Sequence, residues 1–257
     1  MTNKLHPEIV LPDQDLNREL RRRTRRDFLI GGAATLAAIG GYEWLRHSPK
    51  SNDVPWPERN VLDANGHLAR AYVSDSHLMP SYAKKQVQYL KTNGDIGMDP
   101  SFDPAEWTLN VQTGAPGGTF SLELADIQAL PRYEMITRFC CIEGWSVVTQ
   151  WAGARFSDFT KKYFPSGYTL PKYVYMATPD EDYYVGLDTR SAMHPQTLLA
   201  WEHNGKPLEP SHGAPLRLAI PVKYGIKNIK RIGTIQYTDT RPGDYWYEDG
   251  YDWFAGL

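Results

Sequence analysis

Arg138–Trp151 reads RFCCIEGWSVVTQW and holds both cysteines of the chain, Cys140 and Cys141, side by side. Consecutive Cα atoms sit about 3.8 Å apart, closer than an ordinary disulfide wants, so the two are not read as bonded to each other. Each is then a buried side chain, a reactive thiolate or a metal ligand. Upstream, Met135–Ile142 reads as a buried strand that delivers Cys141 at its end. Downstream, Val147–Trp151 leads into Arg155–Tyr163, an amphipathic helix with Phe156, Phe159 and Tyr163 on one face.

Farther out, short elements of both kinds alternate without a regular βαβ period. Trp107–Val111 and Thr119–Leu124 alternate apolar and polar residues across the turn Gly114–Gly118, as half-buried strands do. Asp126–Leu130 reads as a short helix and Ser81–Leu90 as another. Lys172–Ala177 is a strand; Gly186–Ser191 and Met193–Leu199 read as a turn and then a short helix. Asn204-Gly205 marks a hairpin, and Pro215–Pro221 and Gly233–Thr238 close the series as strands. Residues 58–100 are otherwise ambiguous. The fold class is α+β, mixed short strands and short helices, rather than a doubly wound sheet.

The 257 residues are enough for a sizeable core, and 41% hydrophobic with 23% charged is ordinary globular composition. A net charge of −2 supplies no basic field for nucleic acid. The N-terminus differs from the rest. A basic run, RELRRRTRRD from Arg18, precedes an apolar Ala/Gly-rich stretch from Phe28 to about Trp44, the layout of an export signal. Thr24-Arg25-Arg26-Asp27-Phe28-Leu29 resembles the twin-arginine pattern, which implies export of a folded, cofactor-loaded protein to the periplasm. No small-x-small cleavage site stands out after Gly41, and the apolar stretch approaches the roughly 20 residues of a bilayer span. The expected organisation is an extension and signal at 1–47, cleaved or kept as an anchor, and one domain at 48–257.

Several familiar chemistries lack their residues. There is no GxGxxG before a helix, no GxxxxGK[ST], no GxSxG and no HExxH. The 7 histidines include no i, i+3 or i+4 pair, which argues against a His-rich zinc site. A Cys–His hydrolase built on Cys141 with His194, His203 or His212 stays open on pattern alone. Other blocks narrow the choice. Cys141-Ile142-Glu143-Gly144-Trp145-Ser146, Ala192-Met193-His194-Pro195-Gln196-Thr197-Leu198, His212-Gly213-Ala214-Pro215-Leu216-Arg217-Leu218 and Lys223-Tyr224-Gly225-Ile226-Lys227-Asn228 occur in that order. Together they resemble the sulfite oxidase fold family of molybdopterin-dependent oxidoreductases, nearest its periplasmic sulfoxide-reducing members, over roughly Trp107 to Thr238.

The resemblance implies a molybdenum–molybdopterin cofactor, one metal per chain, with Cys141 as the protein thiolate that completes a sulfur-rich set. Cys140, facing the other way on extended backbone, is then a small core residue. Arg217 and Lys227 match the family's cofactor contacts, with Gly225 and Ile226 approaching through the backbone. Thr178 matches a cofactor-contacting hydroxyl, His212 stands where the family has Asn, and Asn93 matches an Asn near the cofactor through a looser alignment. The acidic and aromatic Glu143-Gly144-Trp145 beside Cys141 suits a neutral sulfoxide better than the sulfite dianion. Without CxxCH or iron–sulfur cysteines, electrons are expected from a membrane haem-containing partner. Rival readings are oxidation of sulfite or another small molecule, and a cofactor-free binding module on the same fold. The tail Gly243–Leu257, GDYWYEDGYDWFAGL, lies outside the resemblance and reads first as a core cap, then as a cover for the active-site mouth or a docking surface for a redox partner.

Overall fold

The structure is a computed structural model that describes residues 13–72, 74 and 76–257. The polar extension expected at the start of the chain lies, through residue 12, outside the described residues. Two compact units result, one with the first helix and residues 55–57, the other with residues 51–54 and 58–257.

The first unit is mostly one helix, α1 (Asp13–His47), with nearly every residue exposed. It begins well before the apolar stretch, because Arg and Glu are good helix formers and pair along one face, as Arg23 does with Glu19 at 3.0 Å. Over Gln14–His47 it is long and apolar enough to cross a membrane, a test that a signal sequence also passes.

The second unit is built on two five-stranded sheets. One is β1 (Leu109–Gln112), β2 (Thr119–Leu122), β5 (Tyr173–Ala177), β6 (Tyr184–Asp188) and β10 (Thr234–Thr238), in the order β2-β1-β10-β5-β6. Only β10 and β1 run parallel, with Ile235 opposite Val111. The other is antiparallel: β3 (Arg132–Cys140), β4 (Ser146–Arg155), β7 (Leu198–His203) and the short β8 (Lys206–Pro207), with β9 (Arg217–Ala219) also on β7. Alternation is clear on β1, where Leu109 and Val111 are buried and Asn110 and Gln112 exposed.

The main core gathers Leu109, Val111, Val174, Met176 and Ile235 from the first sheet with Leu199, Trp201 and Leu218 from the second. Ile127 of α3 (Leu124–Gln128) and Phe156 and Phe159 of α4 (Phe156–Tyr163) complete it. A second cluster, with Trp151, Leu198 and Ala200, lies on the other face of β7. Covered on both faces, β7 shows no hydrophobic alternation. A bulge lets β4 and β7 close: Ala152 and Gly153 face Glu202 and Ala200, skipping Trp201. Glycine is required there, since a Cβ on Gly153 would lie 2.0 Å from the Leu199 carbonyl oxygen.

Three expectations are corrected. Ser81–Leu90 is extended apart from one short turn at Lys84–Gln86. Its amides go to the antiparallel sheet instead, Tyr82 N–H to Ile136 O at 3.0 Å and Gln88 N–H to Val148 O at 2.9 Å. Gly186–Ser191 is largely β6 followed by α5 (Thr189–Ala192), and Met193–Leu199 makes a turn into β7 instead of a helix. Gly186 is there because Trp253 of the tail packs on it; a Cβ would meet the indole at 2.7 Å. The ambiguous region opens with a helix, α2 (Trp56–Tyr72), whose Gly66 lies against Asp252 and Phe254 of the tail. Its burial depends on residues far along the chain, beyond any local pattern.

Candidate active site

The end of β3 sets the site. Cys141 N–H bonds Trp145 O at 2.9 Å and Gly144 N–H bonds Cys141 O at 3.1 Å, closing a tight turn. Gly144 takes φ +89°, open to glycine at little cost. The turn aims Cys141, only 7% exposed, into a cleft of about 160 Å³. Cys140 stays out of the cleft and is half-buried, and burial pushes its thiol pKa up.

Around Cys141 a small polar network is fixed. Asn93 Nδ2 lies 3.6 Å from Cys141 Sγ and donates to Glu143 Oε2 at 3.3 Å; Trp145 Nε1 donates to the same oxygen at 2.9 Å. The Trp145 and then the Asn93 hydrogen bond hold the Glu143 carboxyl below the usual range. Lys230 Nζ donates to Asn93 O and Gly94 O at 3.0 and 2.8 Å, which holds that loop against the cleft. Its pKa is lowered to about 8, by burial first and by Arg217 second.

Arg217 is the cation at the base. It is 2% exposed, donates to His212 O and Asn228 O at 2.9 Å each, and lies 4.5 Å over the Trp151 ring. Burial lowers its pKa to about 9. Among the described residues no carboxylate pairs with it. A buried guanidinium with no counter-charge, facing a cleft, is suited to receive an anion.

Of the residues expected from sequence, Asn93, Cys141, Arg217, Gly225 and Ile226 line this one cleft. Thr178, His212 and Lys227 sit one layer behind. Thr178 Oγ1 donates to Asp180 at 2.5 Å, and its side chain presses on Gly97, where a Cβ would come within 2.6 Å. His212 is buried edge-on to His203 at 4.7 Å, offering its carbonyl to Arg217. The Lys227 ammonium turns away to Asp244 and to Gly186 O. Tyr183, Asn228, Trp246 and Tyr251 also line the cleft. Asn228 lay inside a matched block and the tail's aromatics were conspicuous, whereas Tyr183 carried no sequence signal.

Among the described residues no three His, Cys, Asp or Glu side chains come together to hold a metal ion. A metal at Cys141 therefore has to bring most of its own ligands. One soft thiol, an unpaired buried cation and an approachable backbone turn are the set that such a group needs. The profile of the oxidoreductase molybdopterin binding domain family matches residues 96–246, more than half of the chain and most of this cleft. The chain belongs to the oxidoreductase molybdopterin-binding family. Asn93 lies just outside the matched span.

Individual relatives agree. A protein of Azospira oryzae, provisionally named protein-methionine-sulfoxide reductase subunit YedZ1, is 37% identical over 185 residues, 70% of this chain and 69% of that one. The protein-methionine-sulfoxide reductase catalytic subunit MsrP of Campylobacter jejuni is 33% identical over 193 residues, covering 68% and 63%. MsrP of Xanthomonas axonopodis pv. citri is 36% identical over 158 residues, covering 55% of this chain and 48% of that one. Among solved structures, the sulfane dehydrogenase SoxCD of Paracoccus pantotrophus aligns with a TM-score of 0.49 at 16% identity over 55% of this chain and 40% of that one, too slight a likeness to argue from. As a molybdopterin-binding oxidoreductase, the chain offers Cys141, Arg217 and the Gly225–Ile226 backbone as residues that fit the cofactor.

Proposed function

We propose that this protein reduces a sulfoxide, such as methionine sulfoxide, at a molybdenum cofactor held by the Cys141 thiolate. The observation that carries the reading is the Glu143 carboxylate, held in place beside Cys141 by hydrogen bonds from Trp145 and Asn93. A fixed negative charge there opposes the sulfite dianion and tolerates a neutral sulfoxide. Relatives named as protein-methionine-sulfoxide reductases support the same direction.

When bound, the cofactor supplies the two-electron oxygen-atom exchange; overall a sulfoxide, two protons and two electrons give a sulfide and water. The chain's residues hold and orient. Cys141 offers one thiolate, and the Asn93 amide faces its sulfur while Lys230 fixes the Asn93 loop. Arg217 would neutralise the anionic end of the pterin, and the Gly225–Ile226 backbone would let it approach. Glu143 orients Trp145 and Asn93 as a hydrogen-bond acceptor. Relatives named as catalytic subunits support a further subunit, which in this reading is a membrane haem-containing electron donor because the chain has neither CxxCH nor iron–sulfur cysteines, and Arg25-Arg26 before Phe28 supports twin-arginine export to the periplasm.

One observation favours a second reading. Arg217 and Lys230 both face the cleft, and two cations suit an oxyanion, so oxidation of sulfite or a related anion is the rival. Purified enzyme is assayed with a reduced dye against methionine sulfoxide and with ferricyanide against sulfite. Turnover in the first assay is expected; turnover only in the second rejects the reductase.

A further inference from the structure

The sequence resemblance leaves the C-terminal segment unexplained, yet the structure brings it to the cleft. Trp246, on α6 (Tyr245–Glu248), and Tyr251 line the same space as Cys141, their rings edge-on at 5.2 Å. From the end of β3 and the turn after it a second aromatic pair, Phe139 and Trp145 at 5.8 Å, lines it too. Trp246 is part-exposed and Tyr251 is 36% exposed, so aromatic surface stays open at the mouth.

What fixes that segment is a buried ion pair. Lys227 Nζ meets Asp244 Oδ2, with the two side chains 0% and 2% exposed, and Lys227 also donates to Gly186 O at 3.0 Å. Asp244 in turn accepts from Gly186 N at 3.0 Å and from Tyr247 N at 3.1 Å, which starts α6. Burial lowers the Lys227 pKa while Asp244 raises it, as a paired internal ammonium requires. Lys227 belongs to the turn Gly225–Lys227, whose Gly225 and Ile226 line the cleft. The turn that borders the site therefore also holds the tail.

We propose that Gly243–Leu257 is the substrate-selecting wall of this cleft, taking the apolar flank of a methionyl sulfoxide against Trp246 and Tyr251, and that Lys227 is the positioning residue that latches it through Asp244. This rests on the sulfoxide-reductase reading. The physical basis is the attraction of a polarisable sulfur and its methyl group to aromatic rings, which a small sulfoxide exploits less than a methionyl side chain. Lys227 thereby acts on substrate through the tail, without contact to the cofactor.

The test uses purified holoenzyme, a reduced viologen dye, and two substrates: dimethyl sulfoxide and N-acetyl-methionine sulfoxide methylamide. Trp246→Ala is expected to raise KM for the methionyl substrate about tenfold with kcat within about twofold, the effect of losing one aromatic contact. The KM for dimethyl sulfoxide is expected to rise by less than about threefold. Asp244→Asn is expected to give the same KM shift and a new protease-sensitive site within 243–257. The apolar exchange Lys227→Met with Asp244→Leu refills the space without buried charge and is expected to recover protease resistance at unchanged molybdenum content. An unchanged methionyl-to-dimethyl ratio in Trp246→Ala overturns the wall. Loss of molybdenum in the exchange variant, with molybdenum kept in Asp244→Leu alone, overturns the latch and makes Lys227 a cofactor contact. If the wild type reduces neither sulfoxide, the reductase reading and the substrate half of this inference fall together, while proteolysis and molybdenum content still decide the latch.

Discussion

Lowering the pH from 7 to 5 is expected to cost stability through His203. Its ring stacks on Trp151 at 4.6 Å, its Nε2 lies 2.8 Å from Thr149 Oγ1, and it is 7% exposed. Burial, then repulsion from His212 and Arg217, brings its pKa down from 6.5 to about 3. The folded value lies below the unfolded one, so between about 3 and 6.5 the unfolded chain binds a proton that the native state refuses. This group's contribution is therefore whole above 6.5 and is lost as the pH falls through 6.5, levelling off near 3. From pH 7 to pH 5 the loss is about 2 kcal/mol for a shift of that size. Urea unfolding of wild type and His203→Gln at both pH values isolates it, because glutamine can still meet Thr149 and does not titrate. The stability gap between the two proteins should shrink by about 2 kcal/mol on acidification. Equal losses in both proteins would show that His203 is not held neutral by burial.

Two other outcomes follow from packing and charge. Gly153→Ala forces a methyl group against the Leu199 carbonyl oxygen and should lower stability by about 1–3 kcal/mol, read as a lower melting temperature. No change there would mean that the bulge relaxes freely. Arg217→Met removes the unpaired cation at the base of the cleft. The protein should fold and keep its secondary structure by circular dichroism while its bound molybdopterin, measured as molybdenum and as extracted pterin fluorescence, falls at least tenfold; a full cofactor load would contradict an anion-holding role.

What the sequence displayed was what local chemistry decides. On β1, alternation survives because one face is covered, and α4 places Phe156 and Phe159 inward at helical spacing. Where burial comes from distant residues the pattern fails. Both faces of β7 are covered, so Leu198–Trp201 reads as an unbroken apolar run. Ser81–Leu90 has helical composition, but its backbone hydrogen bonds are taken by Ile136 and Val148. Site residues divide the same way. Cys141, Arg217 and the Gly225 turn stood out by chemistry and by family blocks, and they do share one cleft. Tyr183 arrives by strand pairing, and Trp246 and Tyr251 by a tail latched from Lys227, which only tertiary structure reveals. Lys227 was expected as a cofactor contact, and in the structure its ammonium is spent on Asp244.

X-ray absorption at the molybdenum edge, on enzyme purified from the wild type, Cys141→Ser and Cys140→Ser, tests the central claim most directly. The account predicts a sulfur-rich molybdenum environment in the wild type and in Cys140→Ser, and one sulfur fewer, or no metal, in Cys141→Ser. An unchanged sulfur count in Cys141→Ser, or the loss appearing in Cys140→Ser instead, would contradict it.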